Sequence, residues 1–257
     1  MSSLLAVDGH AVASGLGEVV HRSELATVVF GDAREVLGGF ATESFDLTLT
    51  DPPYGVEWQS NMRAERFDQL DNDGSGALDR AVVREVLREC VRLTGQRRHM
   101  YVFGPSDVLD GLKVSQRCEL IWDKGRTGMG DLSLPWGPAH EPISFVLSLH
   151  RHGGKAGSDA LPVRIRKGSV LRFAPPTGRN VRHPSEKPVS LLRELIESSS
   201  KQGELVLDPF AGSGSTGVAA ILAGRRCVLV ESDRRWCDLA VERVRAAESA
   251  VLAARSI

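Results

Sequence analysis

Apolar and β-branched residues collect in short runs along the chain: TVVF (27–30), FDLTLT (45–50), HMYVF (99–103), CELIW (118–122), ISFVLSL (143–149), ELVLD (204–208) and CVLVE (227–231). Runs of this length bounded by turn residues read as strands of a buried sheet. Between them the period changes. Val82, Val83, Val86, Leu87, Cys90 and Val91 recur at helical spacing, as do Leu191, Leu192, Leu195 and Ile196, and Trp236, Ala240 and Val244. Each set suits a helix that covers one sheet face. Strands alternating with helices predict an α/β fold, with a mainly parallel seven-stranded sheet and helices on both faces.

Two stretches, roughly 55–78 and 124–182, lack this periodicity and far exceed the usual connection of about 4–6 residues. The pattern therefore predicts an N-terminal tail over 1–25, one domain over 26–257 and a recognition region inserted at about 124–182. The formal net charge of -1 gives the whole chain no pull toward nucleic acid or membrane. Its distribution says more: residues 150 to 187 hold nine Lys/Arg against two acids. Such a block points to a polyanionic partner, with a solvated loop as the plainer alternative. Within it VRIRKGSVLRF (163–173) reads as a hairpin around Lys167-Gly168, presenting Arg164, Arg166, Lys167 and Arg172 to nucleic acid. Cys90, Cys118, Cys227 and Cys237 form no CxxC pair and no zinc-ligand spacing, so they read as reduced, mostly core residues, and no metal site is expected. No run of about 18 apolar residues and no basic leader is present, so the expected location is the cytoplasm, away from membranes.

The segment 204–233 reads as strand, glycine turn, helix, strand, acid. Gly212 and Gly214 allow close backbone approach to a ligand, Ser215 or Thr216 can cap the next helix, and Glu231 ends the second strand where it can accept both hydroxyls of a ribose. GSGSTG fits the spacing of a dinucleotide site equally well. Asp208-Pro209-Phe210 in front of it shifts the balance, because a carboxylate at the strand end repels a pyrophosphate and suits a cofactor with positive charge. This turn resembles the DPFxGSGTT turn of the amino-methyltransferases that use S-adenosylmethionine.

Asp51-Pro52-Pro53-Tyr54 follows the run FDLTLT, at the carboxyl end of a strand, where α/β sheets place their ligands. The prolines fix φ and offer carbonyls without N–H groups. An acceptor-only carboxylate beside a proline carbonyl suits a planar NH₂, one hydrogen to Asp51 and the other to the Pro52 carbonyl, while Tyr54 gives a base a face to stack on. Two acceptors that draw an aromatic amine toward tetrahedral geometry free its lone pair for a methyl group.

DPPY is the hallmark of the DNA amino-methyltransferases, which modify adenine N6 or cytosine N4, and its position before the cofactor turn resembles the β group of that family. The resemblance spans about residues 27 to 245. It implies a Rossmann-like methyltransferase fold, S-adenosylmethionine as cofactor, and transfer to adenine N6 in double-stranded DNA with the target base flipped out. Asp51, Pro52, Pro53 and Tyr54 would then be catalytic, and Asp208, Pro209, Phe210, Gly212, Gly214, Thr216 and Glu231 would hold the cofactor. Gly31-Asp32 resembles the family's acid near the cofactor adenine and serves equally as a helix cap. HPSEKP (183–188) resembles the family's HPTEKP, which would put His183 and Lys187 near the methionine end of the cofactor or nearby phosphates. Trp122-Asp123-Lys124 resembles a pattern near the base pocket, or is a buried Trp with a surface ion pair. A homodimer and a cognate restriction endonuclease are partners to test.

Cytosine-N4 methylation is the nearest alternative, since both amines need the same acceptors. RNA or a protein glutamine could be acceptors by the same chemistry. An inactive nucleic-acid-binding subunit and a dehydrogenase are further alternatives. DNDGSGALD (71–79) imitates the start of a calcium loop, but its twelfth position is Val82 where a bidentate Glu is needed.

Overall fold

The computed structural model describes residues 5–7, 10–12, 16–53, 76–128, 132–133, 135–148, 167–177 and 186–255. In chain order its strands are β1 (Leu5–Val7), β2 (His10–Val12), β3 (Glu18–Arg22), β4 (Ala26–Phe30), β5 (Phe45–Thr50), β6 (Thr94–Phe103), β7 (Val114–Asp123), β8 (His140–Ser148), β9 (Val170–Arg172), β10 (Leu205–Asp208) and β11 (Arg226–Glu231). Its α-helices are α1 (Ala33–Val36), α2 (Gly76–Leu93), α3 (Val189–Ser199), α4 (Ser215–Leu222) and α5 (Arg234–Arg255). β1 and β2 form a separate antiparallel pair, and the other strands form one sheet in the order β3-β4-β11-β10-β5-β6-β8-β7-β9. Pairing is parallel from β4 through β6 and antiparallel at β3/β4, β6/β8 and β7/β8.

Residue alternation builds two core layers from the same strands. Val28, Leu47, Leu49, Tyr101, Phe103, Val206 and Leu229 face α3, α4 and α5, whereas Val29, Met100, Val102, Leu207, Val228 and Val230 face α1 and α2. This period of two is what a strand buried on both faces requires. Burying each large aliphatic side chain in such a layer stabilises by roughly 1.5–3 kcal/mol. The chain leaves β5 for β6 in one direction and β10 for β11 in the other, with α2 and α4 on opposite faces. The crevice beyond the carboxyl ends of β5 and β10 is therefore the topological switch point, the place such sheets reserve for ligands.

All seven expected strands are present, and the sheet has nine. The extra two are β3 and β9. The N-terminal segment expected to be a tail contributes β3, a half-buried edge strand too irregular, with a bulge between Val19 and His21, to show in the apolar pattern. The stretch 124–182 holds β8, where the run at 143–149 predicted a strand, and the additional β9. Val170–Arg172, expected as a hairpin arm, pairs in parallel with β7 at the sheet edge, and the other arm lies outside the described residues. Among the described residues no helix is long and apolar enough to cross a membrane. Cys90, Cys227 and Cys237 are buried and Cys118 is exposed, all as free thiols.

Candidate active site

The carboxyl ends of β4, β11, β10 and β5 bring Asp32, Glu231, Asp208 and Asp51 to one edge of the sheet. Backbone bonds fix the spacing: Gly31 N–H donates to the Glu231 carbonyl at 2.9 Å and Ala211 N–H to the Val230 carbonyl at 3.0 Å. Asp208, 3% exposed, accepts from the Thr50 hydroxyl at 2.8 Å and the Phe210 N–H at 3.1 Å, joining the end of β5 to the glycine turn. Burial pushes its carboxyl up to about 6, against bonds from Thr216, Thr50 and Phe210 that act the other way. Glu231 accepts from Gly212 N–H at 2.7 Å and Asp233 N–H at 2.8 Å, and burial raises its pKa too.

The turn itself is held in one shape. Gly212 and Gly214 have φ of 49° and 77°, a region side chains rarely adopt. A Cβ at Gly214 would meet Cα and Cβ of Ala240 on α5 at 2.9 Å, so the turn and that helix pack backbone to backbone. Gly214 is itself the N-cap of α4, which corrects the expectation that Ser215 or Thr216 caps it. Their hydroxyls serve the turn instead: Thr216 bonds Asp208, and Ser215 accepts from Arg243 at 3.1 Å. Arg243 of α5 also donates to the Ser213 carbonyl at 3.0 Å and pairs with Glu186 at 2.8 Å. Asp32 caps α1 by accepting from Arg34 N–H at 2.9 Å and pairs with the Arg34 guanidinium, which holds its carboxyl below the usual range.

On the other side of the crevice Asp51 follows β5, with Pro52 buried beside it; Tyr54 lies outside the described residues. Lys187, expected at the cofactor or phosphates, lies against Asp51. Its ammonium is ion-paired with Asp51 Oδ2 and sits 3.3 Å from Glu141 Oε2 and 5.1 Å from the centre of the Phe103 ring. Lys124 meets the same carboxylate, Glu141 Oε1, at 2.7 Å. Lys187 is only 7% exposed. Burial works against its charge, but Asp51 and Glu141 more than offset this and hold its pKa above the usual lysine value. Burial works against Glu141 as well, yet Lys187 and Lys124 hold its carboxyl below the usual range.

Trp122 is buried and donates its indole N–H to the Phe173 carbonyl at 2.8 Å, while Asp123 pairs with Arg172 at 2.7 Å. Lys167 is ion-paired with Glu194. Arg164, Arg166 and His183 lie outside the described residues, as do 71–75 of the calcium-like stretch; Gly76–Asp79 belong to the first turn of α2. Glu141, Arg243 and Thr50 were missed in the sequence. Trp136, between β7 and β8, is 86% exposed and was not singled out in the sequence either.

The arrangement offers a backbone cradle floored by buried carboxylates, next to an acceptor carboxylate steadied by an ammonium. A family described as DNA methylase matches residues 118–242. The chain is 28% identical to the DNA adenine methyltransferase YhdJ of Escherichia coli strain K12, over 86% of this chain and 83% of that one. It is 25% identical to the type II methyltransferase M.HinfI of Haemophilus influenzae, over 86% and 68% respectively. Among solved structures, M1.HpyAVI with S-adenosylmethionine superposes with a TM-score of 0.65 at 18% identity, covering 86% of this chain and 99% of that chain. The PvuII cytosine-N4-specific DNA methyltransferase does so with a TM-score of 0.66 at 15% identity, covering 88% and 89%. These likenesses, with DPP after β5 and the glycine turn after β10 at one switch point, support the DNA amino-methyltransferase family for this chain.

Proposed function

We propose that the protein moves a methyl group from S-adenosylmethionine to the N6 amino group of adenine in double-stranded DNA, acting on a base flipped out of the helix. The observation that carries this reading is the junction of Asp51 with Asp208 through Thr50, which sets an amine-accepting carboxylate beside the glycine turn. The cradle suits this cofactor. Gly212 and Gly214 keep the turn free of side chains, Glu231 is placed for ribose hydroxyls, and the buried Asp208 disfavours a pyrophosphate while favouring a cation. Asp32, Pro209, Phe210 and Thr216 complete the wall. Bound there, S-adenosylmethionine would supply an electrophilic methyl group on a sulfonium, with a neutral thioether as the leaving group.

The protein's part is to present the nitrogen. Asp51 accepts one amino hydrogen and the Pro52 carbonyl the other, which turns the lone pair out of the ring's conjugation. Pro53 fixes the backbone that aims them, and Tyr54 stacks on the flipped base. Once methylated, the nitrogen is cationic and strongly acidic, so a carboxylate such as Asp51 suffices to take its proton, and no strong base is needed. Arg164, Arg166, Lys167 and Arg172 meet the phosphates, the last two exchanging their partners Glu194 and Asp123 for DNA.

The test is incubation with labelled S-adenosylmethionine and unmethylated genomic DNA, followed by nucleoside mass spectrometry. N6-methyladenine is expected. N4-methylcytosine would keep the mechanism and change the base, and cofactor binding without either product would overturn the assignment to DNA. A homodimer and a cognate restriction endonuclease belong to the same reading. A sedimentation mass of one chain at working concentration would rule out the first.

A further inference from the structure

Glu141, at the start of β8, touches no part of DPPY or the glycine turn among the described contacts, yet it shares the Lys187 ammonium with Asp51. The four charges come from well-separated segments: Asp51 after β5, Lys124 after β7, Glu141 in β8 and Lys187 before α3. Lys187 is almost sealed from water, with the face of the Phe103 ring on one side. Asp208 adds a further negative charge near Asp51. An ammonium this close has two opposing effects on a methyl transfer. It keeps Asp51 ionised, hence an acceptor rather than a donor. It also places positive charge beside a nitrogen that becomes positive as the methyl group arrives, which opposes the reaction.

We propose that Glu141 is a positioning residue for the transfer: it anchors the Lys187 ammonium against Asp51 and offsets its charge where the amino nitrogen turns cationic. Without Glu141, Asp51, Lys187 and Lys124 would carry one net positive charge; with it the four groups are neutral. Lys124, on the far oxygen of Glu141, holds that carboxylate in place. A carboxylate has about four acceptor positions, so Asp51 can hold the ammonium and still receive the amine.

The inference rests on the methyltransferase reading, and its test separates the two. Single-turnover methyl transfer, cofactor affinity and the titration of Lys187, followed by the ¹³Cε signal of lysine-labelled protein, are measured for the wild type and E141Q. In E141Q the transfer rate falls on the order of tenfold or more, cofactor affinity stays within about twofold, and Lys187 titrates at lower pH than in the wild type because one of its two anions is gone. E141D, which withdraws the carboxylate by one methylene, gives both shifts at smaller size and serves if E141Q does not fold. An unchanged Lys187 titration, or a wild-type transfer rate in the variant, overturns the proposal. If the wild type itself transfers no methyl group, the functional reading fails, and the Lys187 titration still decides whether Glu141 anchors the ammonium.

Discussion

The two sides of the crevice are built by different physics. On the cofactor side, β4, β10 and β11 end in register, and the acids at their ends are fixed by short backbone bonds: Glu231 to Gly212 and Asp233, Asp208 to Phe210, Gly31 to Glu231. On the acceptor side, Asp51, Lys124, Glu141 and Lys187 come from four segments and are joined by ion pairs between side chains. A site made of main chain is preorganised by the fold and changes little when emptied. One made of buried charges depends on their balance, since removing one member leaves the others uncompensated. Cofactor binding and methyl transfer should therefore be separable by substitution.

The sharpest separation is Asp51→Ala. Transfer should fall by about a thousandfold or more, while S-adenosylmethionine, measured by calorimetry, binds within a few fold of the wild type. Lys187 keeps Glu141, so the protein should still fold. Turnover near the wild-type level would break the proposed mechanism; lost cofactor binding would break the distinction between the two sides. The converse is Gly214→Ala. Its Cβ would sit 2.9 Å from the backbone of Ala240 at a φ of 77°, so strain and overlap together cost roughly 2–5 kcal/mol. Cofactor affinity should drop at least about tenfold, with a matching loss of thermal stability.

What could be read from the sequence follows the same division. The glycine turn and its acids lie within one βαβ unit, and DPPY follows its strand directly, so local pattern carried Asp208, Gly212, Gly214, Glu231 and Asp51 to their places at the switch point. All seven apolar runs became strands for the same reason. Glu141 carries no local signal: it is a polar residue just ahead of the apolar run at 143–149, and only the antiparallel pairing of β8 with β6 and β7 brings it near Lys187. Lys187 could be seen in HPSEKP, but its partner could not. Arg243 carries no local signal either, because the contact that gives it meaning, with Ser213, lies 30 positions away. β3 escaped because an edge strand buries too little to force alternation.

A smaller effect tests the cofactor side through pH. The folded Asp208 carboxyl titrates near 6, above its ordinary value of about 3.9, so the folded protein holds a proton that the unfolded chain has released. The stability this group contributes is full below about pH 4 and is lost as pH rises through about 6. Asp208→Asn keeps an acceptor for Thr50 and Phe210 and should raise stability at pH 8 by up to about 3 kcal/mol, with the gap over the wild type narrowing toward pH 5. Denaturant melts at the two pH values measure it, and cofactor affinity should fall in the same variant. A gap that does not depend on pH would mean that Asp208 is not the strained acid of the cradle.

The smallest effect probes how far the acceptor side extends. Arg172 ends β9 at the sheet edge, its side chain 78% exposed and paired with Asp123. An exposed pair of this kind adds little to stability, so Arg172→Ala should leave the melting temperature nearly unchanged. If the guanidinium leaves Asp123 for a phosphate when DNA arrives, the same substitution weakens binding about equally for all sequences and reduces the slope of log affinity against log salt by about one. Fluorescence anisotropy over a salt series reads both. A lower affinity with an unchanged slope would point to lost packing at β9 rather than a lost phosphate contact. An unchanged affinity would confine Arg172 to the protein's own edge and leave the DNA contacts to the other basic residues between 150 and 187.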